Sequence, residues 1–517
     1  MKTQVKLVIP CIDMKSTAYA LMIALLVALP VKSFAQGALE TFVSDNNGSA
    51  IQASVAAAID SICPELVNVA FNGLGDVLAA PDSPNKDVTL RCNELVQTAV
   101  DLNTGTTQTP RGLRIQNQEL LAALQQVNGE EISAKGSVAT RASNGQFSNL
   151  GARLGALRLG SATAGGGIAA NFSGQDGMVA STQPLSLLSL LPVLGGGAAA
   201  DDNLSFGRWG MFVNGSFNTG SKDASALENE FDFDSISVTA GIDYNFGGGV
   251  LGFSVGYDDY SADFKSSPLV AGGGVDADGF SGAVFGLMNR GNFYLTGIGQ
   301  YGKLDYSIDR DLVYTSNNPD PNCQCPNQNR ALVGSPDGDH VAVGIDAGFD
   351  IWKGNWSFSP HLGVKYRDIS IDGYTETDNG TNGGMNLRYG DQSITSLRSV
   401  LGIQINGNVN ADLGSVRPTI RLDWHHEFDD DARQIQAKYA AEDGLAGTGA
   451  FVEGFGPGCL SCFSIITDLP DEDFFVGGLG LSIMFRNAFQ GFIFYEGLVG
   501  YDGLTANAIS IGFRGQL

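Results

Sequence analysis

The segment Ile236-Ser237-Val238-Thr239-Ala240-Gly241-Ile242-Asp243-Tyr244-Asn245-Phe246 carries the clearest structural signal in this sequence. Every second residue is apolar or aromatic, and the residues between them are small or polar. Side chains of a β-strand point alternately to opposite faces, so this pattern predicts a strand with one apolar face. The pattern returns at residues 341–351 and 416–425. Segments of about 11 residues exceed the usual strand of a soluble sheet and match a tilted strand that crosses a bilayer.

Strands of this kind are predicted throughout the region from residue 206 to the C-terminus. They cover residues 206–218, 233–246, 250–264, 279–289, 293–308, 339–352, 356–372, 387–406, 416–428, 474–486, 492–501 and 506–517. The tight links are 247–249, 290–292, 353–355 and 487–491, and the long polar links are 219–232, 265–278, 309–338, 373–386 and 429–473. Links 407–415 and 502–505 depart from this alternation. Short periplasmic turns and longer outer loops are typical of outer-membrane barrels.

This alternation of links predicts an all-β transmembrane fold. We expect an antiparallel outer-membrane β-barrel of about twelve strands over residues 204–517. A bilayer offers no water to backbone amides, so the sheet must close on itself. Aromatic residues near the predicted strand ends are candidates for the aromatic girdles of such a barrel. These candidates are Tyr257, Tyr260, Tyr301, Tyr306, Trp352, Trp356, Tyr366 and Trp424.

Residues 1–35 have the pattern of a cleaved secretory signal peptide. Lys15 supplies a positive flank, residues 18–29 are apolar, and Ser33-Phe34-Ala35 offers small residues for cleavage after Ala35. Met14 is an alternative start. The competing interpretation is a short membrane anchor, but an apolar run of about 12 residues falls short of the ~20 that a spanning helix needs.

Residues 36–160 are predicted to be a mainly helical region, a short passenger or a plug. Residues 50–66 and 93–102 have helix-forming composition, and residues 113–160 repeat apolar side chains at helical spacing. Arg141, Arg153 and Arg158 make the end of this region locally basic. Residues 161–203 are rich in Gly, Ala and Ser, which predicts a linker or a lumen segment.

Seven cysteines are present, and Cys11 lies within the predicted signal peptide. An even number in an exported chain predicts disulfides. The candidates are Cys63, Cys92, Cys323, Cys325, Cys459 and Cys462. We expect Cys63 to pair with Cys92, and the four others to pair locally or between their two loops. The alternative is a zinc site formed by those four thiolates.

The charge balance excludes nucleic-acid binding. The chain has 55 Asp and Glu against 30 Lys and Arg, a net charge of −25, and phosphate neutralisation needs clustered basic residues. The sequence lacks a Gly-x-Ser-x-Gly elbow, a His-Glu-x-x-His motif and a phosphate-binding loop. We therefore predict no enzymatic activity, no cofactor and no metal site.

One strand carries several charged side chains on its polar face. They are Arg417, Arg421, Asp423, His425 and Glu427. A charge network facing the barrel lumen is the preferred interpretation, and an acid–base cluster is the alternative. Lumen arginines would bind acidic side chains or a threaded segment of chain.

Three segments resemble the translocator domain of type V autotransporters. Trp209-Gly210-Met211-Phe212-Val213-Asn214-Gly215 is similar to the family's first strand. Residues 418–428, Pro-Thr-Ile-Arg-Leu-Asp-Trp-His-His-Glu-Phe, are similar to a late strand. Residues 508–517, Ala-Ile-Ser-Ile-Gly-Phe-Arg-Gly-Gln-Leu, are similar to the closing strand. The resemblance covers residues 204–517.

The resemblance implies a bacterial outer-membrane protein of the type V secretion class. The segment before the first strand would pass through the barrel, either residues 161–203 or the basic helix at 141–158. The resemblance further implies a monomeric barrel that contacts outer-membrane lipid and lipopolysaccharide. Its C-terminal strand would be recognised by the barrel-assembly machinery.

Three functions follow as expectations. The barrel translocates or displays its own N-terminal region at the cell surface. Alternatively, the barrel is an adhesin-like anchor whose acidic outer loops bind a surface, or it is a passive pore plugged by the N-terminal region.

Overall fold

The computed structural model describes residues 37–517 apart from twelve gaps. The gaps are residues 67–81, 107–108, 130, 159–167, 175–208, 226, 267–271, 379–381, 412–413, 447–451, 486–489 and 515–517. The predicted signal peptide and most of the predicted linker at 161–203 therefore lie outside the described residues.

Within the described part of the chain, six helices precede the barrel. They are α1 Ala38–Asp45, α2 Ala50–Glu65, α3 Pro84–Thr104, α4 Asn117–Asn128, α5 Glu131–Ala142 and α6 Gly145–Arg158. The Ser49 side chain caps α2 by accepting from the Gln52 backbone N–H at 3.1 Å, and Gln52 completes the capping box. The mainly helical region predicted from the sequence is confirmed. Helix α3 begins well before the predicted 93–102, because Ser83 caps its first turn and Pro84 fits its first position.

The strands follow in one long series. They are β1 Ile168–Gly174, β2 Trp209–Lys222, β3 Phe231–Asn245, β4 Gly249–Phe264, β5 Gly273–Arg290, β6 Phe293–Tyr314, β7 Gln328–Gly334, β8 Asp337–Phe349, β9 Ile351–Lys353, β10 Trp356–Ile371, β11 Tyr374–Thr375, β12 Thr377–Asp378, β13 Leu387–Tyr389, β14 Gln392–Gly407, β15 Val409–Ala411, β16 Gly414–Glu427, β17 Gln434–Tyr439, β18 Phe463–Ile466, β19 Asp473–Phe485, β20 Gln490–Val499 and β21 Leu504–Arg514. Two short 3₁₀ helices cover Pro321–Cys323 and Ala440–Leu445.

Twelve long strands form a closed antiparallel barrel, as predicted. Consecutive members pair in order: β2, β3, β4, β5, β6, β8, β10, β14, β16, β19, β20 and β21. The first and last strands close the barrel directly between Thr219–Lys222 and Leu504–Asn507. Nearer the barrel's short-turn end, β1 lies between them, parallel to β2 and antiparallel to β21.

The long links are more ordered than the sequence predicted. Strand β7 pairs with the end of β6, and β11, β13, β17 and β18 form a separate four-stranded sheet. Strand β5 begins at Gly273, before the predicted residue 279, and β6 continues to Tyr314, beyond the predicted residue 308. These extensions form because alternate residues, such as Val275 and Leu312, are fully buried.

The outward face of the barrel carries an apolar belt, and the inward face is polar or small. On β4, exposed apolar side chains such as Phe253 and Val255 alternate with buried small or polar residues such as Ser254. Six of the eight predicted girdle aromatics are at least partly exposed. The prediction was wrong for Tyr260 and Tyr306, which are buried on the inward face because they have the opposite parity along their strands.

Helices α1–α4, hereafter the helical module, pack on the barrel end that carries the long loops. A single buried apolar cluster joins Phe42, Ile59 and Leu124 of the module to strand residues such as Ile308 and Leu387. None of the described helices has the length and apolar character needed to cross a membrane.

Candidate functional site

Helix α6 lies inside the barrel, against the inward faces of β2–β6. The Gln146 amide donates to Ser254 Oγ at 3.2 Å, and the Asn149 amide donates to Thr239 Oγ1 at 3.1 Å. In return, the Asn214 side chain of β2 donates to the Asn149 carbonyl at 2.9 Å. A Cβ atom at Gly145 would collide with the Ser237 side chain, so glycine permits this close approach. Polar side chains on both surfaces therefore hold the helix against the wall.

An ion pair anchors the far end of α6. Arg153 Nη2 lies 2.5 Å from Asp243 Oδ2, and both side chains are about 95 % buried. The Arg153 guanidinium also stacks over the Phe212 ring at 5.0 Å. Removal of either partner would leave a buried charge uncompensated, so the pair fixes the position of the helix along the barrel.

Helix α5 lies at the long-loop end of the lumen. Arg367 of β10 donates to the Thr140 carbonyl and to Asn144 Oδ1, both at 2.9 Å. Arg433 donates to the Ser133 carbonyl at 3.2 Å. The sequence identified 141–158 as one of two candidates for the lumen segment, and the structure has α6, within that range, in the lumen. The other candidate, residues 161–203, lies mostly outside the described residues.

The predicted charge network lies on the opposite wall of the lumen. Arg421 forms an ion pair with Asp423 at 2.5 Å, and Asp423 lies 3.3 Å from His361 Nε2 of β10. Arg398 pairs with Glu427 at 2.9 Å. Arg398 lies on the adjacent strand β14 and His361 on β10, one strand further away, so only the barrel register brings these partners to β16.

The remaining members of the network line the same space. The His425 ring stacks on Phe474 with centroids 5.0 Å apart, and Arg417 lines a lumen cavity of ≈ 1560 Å³ with Arg421, Asp423 and Glu427. This cavity extends beside α5 and α6. The side chains named from the sequence thus face the lumen, and α6 packs against the other wall.

The helical module docks on the long loops through buried charges. Asp87 of α3 lies 2.6 Å from Arg330 of β7, and it accepts a hydrogen bond from the Gly384 N–H at 3.0 Å. Arg330 also pairs with Asp378 at 3.3 Å. Burial alone would raise the pKa of Asp87, but the Arg330 charge and hydrogen bond outweigh it and lower that pKa.

A second buried pair lies beside the first. Arg310 of β6 pairs with Glu376, and its Nη1 donates to the Gln126 carbonyl of α4 at 3.0 Å. Tyr389 donates to Glu376 at 3.2 Å. The Gln126 side chain accepts from the Val313 N–H at 2.6 Å, so β6 donates two hydrogen bonds to this one residue of the module.

A third group surrounds Glu94 of α3. Tyr314 donates to Glu94 Oε1 at 2.6 Å, and Arg91 Nη1 lies 2.7 Å from Oε2. Burial raises the pKa of Glu94 to about 7, although Arg91 and Tyr314 act to lower it. None of these interface residues was singled out from the sequence, because their partners are some 200 residues away along the chain.

The six cysteines that the structure describes form three disulfides. Cys63 and Cys92 join α2 to α3 with Cα atoms 5.8 Å apart, which is the pairing expected from the sequence. Cys323–Cys325 and Cys459–Cys462 are both local pairs, with Cα separations of 5.2 and 5.6 Å. The four loop cysteines are therefore engaged in disulfides rather than in the alternative zinc site.

One group among the described residues has ligand atoms close enough to hold a metal ion. It comprises His426, Glu472 and Asp473, whose ligand atoms lie within 4.8 Å of one another. His426 Nδ1 and Trp424 Nε1 already hydrogen-bond Asp473 Oδ1, each at 3.0 Å, and the two carboxylates are exposed. We assign no ion to this group.

Comparison with known proteins agrees with this architecture. Residues 211–496 match the profile of the autotransporter beta-domain family. The translocator domain of autotransporter NalP from Neisseria meningitidis is similar, with 14 % identity, a TM-score of 0.42, and coverage of 60 % of this chain and 89 % of that one. The beta domain of the Bordetella autotransporter BrkA has 14 % identity, a TM-score of 0.37, and coverage of 60 % and 100 %.

A third similar structure is the transport unit of AIDA-I from Escherichia coli. It has 12 % identity, a TM-score of 0.37, and coverage of 64 % of this chain and 98 % of that one. No curated protein sequence matches this chain.

Proposed function

Because the chain belongs to the autotransporter beta-domain family, we propose that this bacterial outer-membrane barrel translocates its own N-terminal region and displays it at the cell surface. We further propose that the displayed part is the helical module and that it remains docked on the long loops. The role is translocation and display rather than catalysis.

A single observation carries the proposal: one continuous segment leads from the docked module into the lumen. Helix α4 ends at Asn128 at the long-loop end, and α5 and α6 follow within the barrel. Long loops face outward in outer-membrane barrels. A module at that end, followed along the chain by α5 and α6 within the barrel, has the connectivity of a translocated passenger.

We propose the corresponding division of the chain. Residues 1–35 are a signal peptide, 36–160 are the passenger or plug region, 161–203 are a linker or lumen segment that includes strand β1, and 204–517 are the barrel. The helices within 36–160 separate at Gly129 into the displayed module and the lumen segment. We also propose a monomeric barrel that contacts lipopolysaccharide and that the assembly machinery recognises by its C-terminal strand.

Labelling in intact cells tests the proposal. An epitope inserted after Gly105, in the exposed link between α3 and α4, should bind antibody on intact cells. The matched control is the same epitope after Gly354, in the exposed tight turn between β9 and β10 at the opposite end. That control should bind antibody only after the outer membrane is permeabilised. The reverse result would refute display of the module.

The lumen cavity favours a second candidate, a partly plugged pore. A space of ≈ 1560 Å³ beside α6, lined by charged side chains, is compatible with passage of small ions. Planar-bilayer conductance of the full chain tests this candidate, with the Arg153→Met variant as a loosened plug. No conductance in either protein would exclude the pore.

A further inference from the structure

Two arginines of the module converge on one turn of the barrel loops. Arg91 of α3 donates from Nη2 to the Gln324 carbonyl at 2.8 Å. Arg111, in the link between α3 and α4, donates to the Cys323 carbonyl, and its Nη2 lies 3.4 Å from the Gln324 carbonyl. Both arginines are nearly fully buried, with 3 % and 2 % exposure. These carbonyls, together with Glu94 beside Arg91, offset the cost of removing the two charges from water.

The turn is shaped to present those carbonyls. The Cys323–Cys325 disulfide encloses Gln324, whose backbone is left-handed at φ 50°. The Asp320 side chain accepts from the Asn322 N–H at 2.9 Å and fixes the preceding residues. A short covalent ring holds few conformations, so the two carbonyl directions are set before the module arrives.

The two strands that lead into and out of this turn also contact α3. Tyr314, at the end of β6, donates to Glu94, and Arg330 of β7 pairs with Asp87. Asn318 donates to the Gly112 carbonyl at 2.8 Å, next to Arg111. The hairpin from β6 to β7 therefore contacts one face of the module with a cation, two neutral hydrogen-bond donors and two carbonyl acceptors, each matched to its partner.

We infer that the β6–β7 hairpin is a receptor for the helical module, that its disulfide-closed turn recognises the Arg91 and Arg111 guanidinium groups, and that helices α1–α3 stay bound to it without their covalent link to the rest of the chain. This deepens the proposed function by naming what retains the module. It rests on that proposal only for the side of the membrane on which docking occurs. The binding itself is a property of the purified protein.

A nicked full-length protein tests the inference. A site for a sequence-specific protease is inserted after Gly105, where the link is exposed, and the purified protein is cleaved in detergent. The fragment that ends at this site retains α1–α3 and the Cys63–Cys92 disulfide. We expect it to co-elute with the barrel on size exclusion. Loss of the fragment from the otherwise native protein would overturn the inference.

Variants on the barrel side identify the turn as the receptor. Cys323→Ser with Cys325→Ser should raise the dissociation constant of the nicked fragment at least tenfold. Cys459→Ser with Cys462→Ser removes the other local loop disulfide and should leave that constant unchanged. Heat-modifiable migration of the barrel verifies folding in each case.

A second variant leaves the disulfide intact. Arg91→Lys keeps the positive charge on the fragment but removes the planar set of donors that reaches both Glu94 and the Gln324 carbonyl, and it should also weaken binding. Equal fragment retention in wild type, the turn variant and Arg91→Lys would overturn the inference. Because these measurements use purified protein, their failure is separate from a failure of surface labelling in cells.

Discussion

The two halves of β6 place their apolar side chains on opposite faces of the strand. From Phe293 to Tyr301, the outward face carries aromatic and small residues, and the inward face includes Thr296 and Gln300. Beyond Gly302 the outward residues are mostly charged, and the inward residues form a buried apolar core with Leu304 and its successors. Side chains still point alternately inward and outward along the whole strand. At this point, however, the outward face changes from apolar to charged, and the inward face becomes an apolar core.

The same exchange occurs at a similar height on the neighbouring strands. Outward Tyr257 of β4 is followed by Asp259, and outward Phe280 of β5 is preceded by Asp278. Asp259 and Asp278 are direct partners across the two strands. The exchange therefore marks a level around this side of the barrel at which lipid ends and the docked module begins. Below it the apolar side of each strand faces lipid, and above it the apolar side faces protein.

The largest expected effect comes from the inward face of the upper half of β6. Arg310→Met leaves Glu376 buried without its cation, which should destabilise the docked module by about 3–5 kcal/mol. Gln300→Met, on the same face in the lower half, removes only neutral hydrogen bonds and should cost about 1 kcal/mol. Thermal unfolding followed by protease resistance of the module measures both.

A double substitution sharpens that prediction. Arg310→Met with Glu376→Leu removes both charges and should recover most of the loss. If the double variant is as unstable as Arg310→Met, the ion pair is not the reason for the effect.

The outward face should show the next largest effect. Val255, 66 % exposed in the apolar belt of β4, becomes a charge in lipid in Val255→Lys, which should cost about 2–4 kcal/mol. Asp259→Lys lies four residues further along the same face, above the belt, and should not destabilise the barrel, since it places a cation opposite Asp278. Urea unfolding in lipid vesicles compares them. Equal costs would show that the exchange of polarity does not mark the edge of the lipid.

Acid should weaken docking to a smaller extent. The folded-state pKa of Asp87 is lowered, so its contribution to stability is present above its ordinary pKa of 3.8 and is lost as pH falls below it. Glu94 acts in the opposite sense, because a pKa raised to about 7 removes stability as pH rises from about 4.5 to 7.

Fragment retention in the nicked protein between pH 7 and 3 separates the two groups. The loss below pH 4 should disappear in Asp87→Asn, and the change above pH 4.5 should disappear in Glu94→Gln. A low-pH loss that survives in Asp87→Asn would assign it to another carboxylate.

The smallest effect concerns like charges on the outward face. Asp259→Asn removes repulsion from the opposing Asp278 and should stabilise the barrel by roughly 0.2–1 kcal/mol at low salt. High salt should abolish the gain. Asp232→Asn is the contrasting control, since Asp232 lies 3.1 Å from Lys265 and its neutralisation should give a slight loss. A gain in both variants would argue against pairwise repulsion.

The sequence predicted the barrel because a period of two survives in every transmembrane strand, beginning with Ile236 to Phe246. It missed the upper ends of β5 and β6 because Asp276, Asp278 and Asp309 suggested loops. The buried Val275 and Ile308 beside them show that the alternation persists with its faces exchanged.

Sequence patterns located the lumen side chains better than the docking interface. Parity along β16 sufficed to group Arg421, Asp423, His425 and Glu427 on one face. The docking pair Asp87–Arg330 joins residues 243 positions apart, and no local pattern encodes that contact. Basic composition did identify the lumen helix as a candidate, because Arg153 needs an acidic partner inside the barrel.

The length of β6 has a mechanical consequence. Of its 22 residues, about 10 suffice to cross the bilayer, and the remaining dozen extend roughly 30 Å further at 3.3 Å per residue and a tilt of about 40°. The barrel wall therefore continues beyond the bilayer as a rigid stalk, with β7 and the four-stranded sheet at its tip. A stalk made of continuous strands does not swivel as a peptide tether would. The module is therefore carried at a fixed height and with a fixed face toward the surroundings, and any force applied to it is transmitted directly to the hydrogen bonds of the membrane-embedded wall.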